Sequence, residues 1–416
     1  MSPTSPKSGP ASRAAADRCP GALRLVEAAD GYLARIRLPG GFVTGNQLRV
    51  LADLAVELGD GRVELTSRSN VQLRALAADA AEPLTAALTR AGLLPSLDHD
   101  RVRNVLASPL AGLDALGSGR DLAAIVAALD AGLCARVRLT ELSGRFLFAI
   151  DDGRGDVAGL GADVVAVVGA EGAVVNGLAV NGLVGGGSAS DNGADAVPGD
   201  AVTVILAFAE AFLDERAATG SPAWRIADLP GGAGRVREAV AERFGLGAGP
   251  ELPVPVPGTR PVGLVRRPVH AGVGVEPRSV PPDDLDSAVL LAPLGRLTAA
   301  QVTWLAARAA ERPARITPWR SVVLPGQADA DQALGEAALL GLGVDESSPW
   351  LRVTACAGRP GCASALADVQ ADAAGFAARW PERIVHVSGC GRHCGRPAAT
   401  EIDVTATSEG YQVAEV

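Results

Sequence analysis

Four cysteines fall within the last sixty-one residues of the chain, as Cys356-Ala-Gly-Arg-Pro-Gly-Cys362 and Cys390-Gly-Arg-His-Cys394. A C-x5-C pair and a C-x3-C pair, brought together by folding, supply four thiolates, a set suited to tetrahedral zinc or to an iron–sulfur cubane. The neighbours favour the cubane. Gly358, Gly361, Gly389, Gly391 and Gly395 clear side chains from around the sulfurs, so that backbone N–H groups can approach them, and Arg359, Arg392 and Arg396 offset the negative charge of a cluster. Structural zinc tolerates the second spacing more readily than the first. Two disulfides would need an oxidising compartment, whereas residues 1–18 lack the apolar core of a secretory signal and read as a disordered leader. Of the other two cysteines, Cys134 lies in an apolar stretch and reads as a small buried hydrophobe. Cys19, in Arg18-Cys19-Pro20-Gly21, has no role that spacing assigns.

A second set of residues is polar where a strand should be bland: Thr66-Ser67-Arg68-Ser69-Asn70-Val71-Gln72-Leu73-Arg74. In a strand, alternate residues share a face, so Arg68, Asn70, Gln72 and Arg74 should project together. Arg35 and Arg37 do the same on an earlier strand; Arg101, Arg103 and Asn104 open the next segment, and Arg145 follows. Any one of these fits a solvated strand face in an arginine-biased chain whose only lysine is Lys7. Together they describe a pocket for a polyanion, because arginine grips carboxylates with two parallel hydrogen bonds. Gly182 to Ser188 could add backbone donors, although three glycines there equally fit a flexible loop.

The elements that must position these residues show an internal repeat. Gly31 to Gly41 forms a strand and a Pro/Gly turn, followed by a helix over 44–58, a strand over 63–68 and a helix over 77–91. Pro293 to Thr298, a helix over 299–310, Ala314 to Arg320 and a helix over 328–340 repeat the order. Each copy has the grammar of a ferredoxin-like α+β unit. A longer segment follows each copy, and Val102-Arg103-Asn104-Val105 aligns with Leu351-Arg352-Val353-Thr354. The expected fold is therefore α+β: duplicated ferredoxin-like units plus two larger α/β segments, the last carrying the cysteine motifs, related by pseudo-twofold symmetry. The expected divisions are 1–18, 19–95, 96–246, a Pro-rich linker over 247–260, 261–345 and 346–416.

At 416 residues the chain can hold several domains. Its net charge of −9 excludes the basic face of a nucleic-acid binder. The apolar run from Leu160 to Val184 is interrupted by Asp163, Glu171, Asn176 and Asn181, so it reads as short strands rather than a membrane span. A cytoplasmic protein without nucleic-acid or membrane partners is expected. Gly245 to Gly249 lacks the spacing of a dinucleotide loop, so electrons are expected to come from a separate donor.

The paired cysteine motif, Arg35-Ile-Arg37-Leu-Pro-Gly-Gly, Thr66-x-Arg68-x-x-x-Gln72, Arg103-Asn104 and the duplication together resemble the nitrite/sulfite reductase superfamily over nearly the whole chain beyond the leader. The resemblance implies that Cys356, Cys362, Cys390 and Cys394 ligate a [4Fe-4S] cluster. It also implies that a tetrapyrrole beside the cluster is gripped by Arg35, Arg37, Arg68, Asn70, Gln72, Arg103, Asn104 and Arg145. Sirohaem-dependent members carry two lysines flanking a phenylalanine over the anion site, whereas this chain has Arg145-Phe146-Leu147. Lysine-to-arginine fits the compositional bias; lysine-to-leucine does not. With the Cys-Pro-Gly opening and the short length, that departure looks like the precorrin-3B synthase branch, in which the tetrapyrrole is substrate. Oxygen-dependent hydroxylation and lactone closure on precorrin-3A is then implied, with a mononuclear non-haem iron by analogy. His99, His270, His386 and His393 match no compact motif for that iron. The alternatives are a sirohaem-dependent nitrite or sulfite reductase, and a non-catalytic cluster- or zinc-stabilised tetrapyrrole-binding protein.

Overall fold

The computed structural model describes residue 17 and residues 19–169, 172–182, 200–250, 261–266 and 285–416. The expected leader (apart from Asp17), most of the Pro-rich linker, residues 183–188 of the glycine stretch and His270 lie outside the described residues.

The first ferredoxin-like unit contains β1 (Val26–Ala28), β2 (Gly31–Ile36), β3 (Phe42–Val43), α1 (Gly45–Leu58), β4 (Arg62–Leu65), β5 (Val71–Leu76) and α2 (Ala81–Arg90). The segment after it holds β6 (Val105–Ala107), α3 (Ala123–Cys134), β7 (Phe148–Asp151), β8 (Val164–Val168), β9 (Gly172–Val175), β10 (Leu178–Asn181), α4 (Ala201–Thr219) and α5 (Gly232–Phe244). The second unit repeats the first: β11 (Gly263–Val265), β12 (Ser287–Leu291), β13 (Arg296–Thr298), α6 (Ala299–Arg308), β14 (Ala314–Ile316), β15 (Ser321–Leu324) and α7 (Ala330–Leu339). The last segment has β16 (Val353–Ala355), α8 (Val369–Arg379), β17 (Val385–Ser388), β18 (Ile402–Thr407) and β19 (Gly410–Glu415).

The pseudo-symmetry extends to single hydrogen bonds. Thr44 and Thr298 each cap a helix in a reciprocal box with Gln47 and Gln301. Those glutamines then donate to the carbonyls of Ala91 and Leu340, which follow α2 and α7. The two units also exchange strands: β13 pairs with β4 of the first sheet, and β3 pairs with β14 of the second. Each of these two ferredoxin-like sheets is therefore built from both halves of the sequence. One core joins them, with Leu51, Leu54 and Ala55 of α1 and Val302, Leu305 and Ala306 of α6 in the same apolar cluster.

Gly41 carries this junction. Its φ is +75°, in the left-handed region that favours glycine, and a Cβ there would lie 2.0 Å from the carbonyl oxygen of Ile316. Gly41→Ala is expected to cost about 2–3 kcal/mol, read as a lower denaturation midpoint with an unchanged slope in urea.

The larger segments match as well. In each, three parallel strands are extended by an antiparallel one: β6-β7-β8-β9 with β10 added, and β16-β17-β18-β19. Matching β6 to β16 sets Val105 against Val353, so the sequence alignment of 102–105 with 351–354 is one residue out of register. The sheet pairings decide it, because Val105 and Val353 each open their ladder with the neighbouring strand.

Candidate functional site

β16 and β17 are parallel neighbours, so both cysteine motifs leave the same end of one sheet. Cys356 directly follows β16, and its N–H donates to the Val387 carbonyl (3.0 Å). Cys390 follows β17 by two residues. The loops then lock together: Gly389 N–H donates to Cys356 Sγ at 3.1 Å, Leu366 N–H to the Gly389 carbonyl at 2.8 Å, and Gln370 to the Cys356 carbonyl at 3.1 Å. Gly389 has no room for a side chain, since a Cβ would sit 2.7 Å from that of Ala365. Buried Asp403 on β18 holds the second loop, 2.9 Å from His393 Nδ1 and 2.6 Å from Arg396 Nη1.

All four cysteines are free thiols, partly or fully accessible. Among the described residues, no three of their sulfurs lie within 4.8 Å of one another. The all-sulfur donor set and the N–H already directed at Cys356 fit an iron–sulfur cluster.

The arginines gather on the first sheet, but not by simple alternation. Thr66 to Asn70 is a tight turn: Thr66 N–H donates to the Asn70 carbonyl, Ser69 has φ +55°, and β5 begins only at Val71. The expectation that Arg68, Asn70, Gln72 and Arg74 share a strand face is therefore corrected, since Arg68 and Asn70 belong to the turn. Thr317 to Ser321 repeats that turn in the second unit, with Arg320 at φ +63°. Arg35 and Gln72 are register partners, joined by a 3.0 Å bond, and Gln72 continues to Glu64 at 2.7 Å. Asn70 donates to Asn104 (3.3 Å) and accepts from Leu38 N–H (2.9 Å), tying the turn to both neighbouring segments. Arg68 reaches the Gly144 carbonyl at 3.2 Å, next to Arg145, whose guanidinium stacks on Trp224 at 4.4 Å.

Two expected ligand-binding arginines are engaged with the chain's own carboxylates. Arg103 is buried and makes two 2.7 Å bonds to Asp130. Arg74 binds Asp30 through two bonds and also donates to the Gly361 carbonyl at 2.9 Å, fastening the first cysteine loop to the first sheet. Arg35, Arg37 and Arg68 differ. Burial lowers all three from the usual arginine range, with Arg37 pushed down to about 9, and the Nε atoms of Arg35 and Arg37 are buried without a partner. Unpaired buried donors of this kind are costly unless an acceptor arrives.

The second unit shows what the first would look like without a polar site. Val289 and Val323 hold the positions of Arg35 and Gln72, in the same register, and pack against Leu110 and Leu113. The counterpart of the cysteine site is also filled. Ser108 matches Cys356, and Asp152 N–H donates to its Oγ at 3.2 Å, as Gly389 N–H does to the sulfur. Asp151, Asp152 and Asp156 gather there within 4.8 Å, but Asp151 already accepts four backbone N–H groups, and Arg154 bonds Asp152 and Asp114.

Burial, reinforced by Asp151 and Asp152, pushes the Asp156 carboxyl up to about 7, against Ser108 and Arg154, which favour the anion. A carboxyl raised on folding contributes stability below its unfolded value, near pH 4, and loses it as pH rises through 7. Asp156→Asn should remove that decline and add on the order of 2 kcal/mol at pH 8, with little change at pH 4. Urea denaturation at the two pH values checks it.

Sequence reasoning missed Arg225 and Trp224, which follow α4. Arg225 is the foremost charge acting on Arg68, and it bonds Asp163 at 3.0 Å. No periodicity marks them; only the fold brings residues 224–225 to 68 and 145. Of the described histidines, His99 sits between Ser96 Oγ (2.7 Å) and the Arg136 carbonyl (3.1 Å), His386 meets Thr354 Oγ1 (2.8 Å), and His393 faces Asp403.

Residues 26–91 match the family described as nitrite/sulfite reductase ferredoxin-like half domain. The chain is 28% identical over 402 residues to a ferredoxin–nitrite reductase of Synechococcus elongatus, covering 89% of this chain and 75% of that one. It is 27% identical over 405 residues to a precorrin-3B synthase of a Sinorhizobium species, covering 94% and 81%. The solved structure of the Mycobacterium tuberculosis NirA protein superposes with a TM-score of 0.65 at 20% identity, over 92% of this chain and 73% of that one, which shows a shared fold. No helix among the described residues is long and apolar enough to cross a membrane.

Proposed function

We propose that this chain, which belongs with the nitrite/sulfite reductase superfamily, is an oxidoreductase of the precorrin-3B synthase type: a monooxygenase that hydroxylates precorrin-3A and closes a ring acetate to a lactone. Leu147 carries the choice of branch. Where sirohaem-dependent members place a second cation, this residue is buried in an apolar cluster with Leu106, Ala149 and Val157. Its own N–H donates to Asp163 (3.0 Å), so the peptide at this point also faces a carboxylate. Sulfite or nitrite would meet one exposed guanidinium, Arg145, instead of a pair of cations.

The substrate's carboxylates would be met by Arg35, Arg37, Arg68 and Arg145. Partly desolvated guanidiniums bind carboxylates more strongly than exposed ones. Asn70 and Asn104 hold the turn bearing Arg68 at a fixed distance from the Gly144–Arg145 loop. Gln72, committed to Glu64, presents its carbonyl oxygen to Arg35 and orients that guanidinium. The four cysteines would hold a [4Fe-4S] cluster that supplies single electrons from a separate donor when bound. One oxygen atom of O2 enters the tetrapyrrole, and the other leaves as water with two electrons and two protons.

The nitrite reductase relatives supply the second reading, in which sirohaem occupies the same arginines as a cofactor. The absorption spectrum of the purified protein separates the two. A broad cluster shoulder without a Soret band is expected; intense sirohaem bands copurifying at one per chain would overturn the synthase reading.

A further inference from the structure

Two cysteines stand outside the paired motif. Cys134 ends α3, with Asp130 and Arg103 as its charged neighbours. Cys19 lies where the guanidiniums converge. The segment around it crosses the arginine site as a strap, anchored at both ends by carboxylates. Asp17 accepts from Cys19 N–H (3.0 Å), Gly144 N–H (2.7 Å), Ser143 Oγ (3.2 Å) and Arg101 Nη1 (3.2 Å). Asp100 accepts from the N–H groups of Ala22 (2.8 Å) and Leu23 (3.2 Å). Between these anchors, the Pro20 carbonyl accepts from Arg37 Nη2 at 3.2 Å, and the Gly21 carbonyl from Arg35 N–H at 3.3 Å.

On its other side the strap touches the loop that carries Arg145. A Cβ on Gly144 would lie 2.7 Å from the Cys19 Cβ, and the carbonyl of the same Gly144 accepts from Arg68. Arg37 supplies the second observation. It is 2% exposed, and its Nε has no partner although its Nη2 bonds the Pro20 carbonyl of the strap and the Arg101 carbonyl, and its Nη1 the Arg35 carbonyl. The charged groups that act on Cys19 are the cations Arg35, Arg37, Arg68 and Arg145 and the carboxylate Asp17. Cations therefore outnumber carboxylates among its charged neighbours, a setting that suits an anion.

We infer that Cys19 forms a wall of the arginine site and that its thiol contacts a bound polycarboxylate. The inference rests on the reading of these arginines as the tetrapyrrole site. Burial, together with Asp17, pushes the thiol up despite Arg37 and Arg145. The sulfur therefore stays protonated at neutral pH and leaves the guanidiniums free for the ligand; a thiolate there would neutralise one of them.

The test uses the intact, cluster-loaded protein and two thiol reagents of opposite charge, 2-sulfonatoethyl and 2-trimethylammonioethyl methanethiosulfonate, whose intrinsic reactivities are divided out by the rates at Cys134. Peptide mass spectrometry reads Cys19 and Cys134 separately. The anionic reagent should modify Cys19 roughly 10-fold faster than the cationic one, after normalising to Cys134, with the preference shrinking as salt is raised. Saturation with the octacarboxylate uroporphyrin, followed by its Soret shift, should slow modification of Cys19 roughly 10-fold or more while sparing Cys134. A charge preference at Cys19 equal to that at Cys134, or an unchanged rate with the porphyrin bound, overturns the inference and leaves the tetrapyrrole reading standing. Failure of the porphyrin to bind overturns both.

Discussion

Cys394→Ser is expected to yield a folded protein that has lost its cluster: iron and acid-labile sulfide well below four per chain, a bleached visible shoulder, and activity down by more than roughly 100-fold. Cys394 is the one exposed cysteine of the four, in a turn where His393 adopts φ +47° and Gly395 φ +78°. A serine hydroxyl fits the same turn, so the backbone has no reason to move. The hydroxyl is a far poorer iron ligand than a thiolate, because it ionises several pH units higher. The sheet beneath should survive, since Val353, Val385, Val387, Ile402 and Val404 form an apolar cluster that does not include this turn. Cys134→Ser serves as the control, with full iron expected. If Cys394→Ser kept its full iron and sulfide content, the four-cysteine ligand set would be wrong.

Arg68→Ala should weaken tetrapyrrole binding roughly 10²- to 10³-fold, about 3–4 kcal/mol. The loss is large because Arg68 is partly desolvated beside Arg225 and Arg35, with the Gly144 carbonyl and Asp163 offsetting that cost. Removing it should leave folding intact, or stabilise it slightly by relieving repulsion among the guanidiniums. Arg68→Lys keeps the charge but not the planar fork, and should fall between the two. Porphyrin titration by fluorescence gives the affinities, and thermal unfolding provides the control. Unchanged affinity in Arg68→Ala would mean that the arginine set is structural.

These predictions depend on features the sequence reveals unevenly. The cysteine motifs are legible because ligand spacing is local: each pair sits within one loop, and the loops leave adjacent parallel strands. The duplication is legible because helix caps and Pro/Gly turns repeat at fixed offsets, Thr44 with Thr298 and Gly41 with Gly295. The exchange of β3 and β13 is not, since two- and three-residue strands carry no periodicity. The 66–70 turn was hidden by its polar residues, which suit a strand face as well as they suit a turn; the left-handed Ser69 decides between them. Arg74 and Arg103 read as ligand-binding groups because their partners, Asp30 and Asp130, lie 44 and 27 residues away. The Ser108–Asp152 counterpart of the cysteine site could not be seen at all, since its chemistry shares nothing with thiolates and only the matched strands identify it.

One measurement bears most directly on the tetrapyrrole as substrate: incubation of the cluster-loaded protein with precorrin-3A, an electron donor and isotopically labelled dioxygen, followed by mass analysis of the product. The expected result is a lactone that carries one labelled oxygen atom, formed only when both oxygen and donor are present. Unaltered precorrin-3A, with the same preparation reducing nitrite or sulfite through copurified sirohaem, would contradict the account.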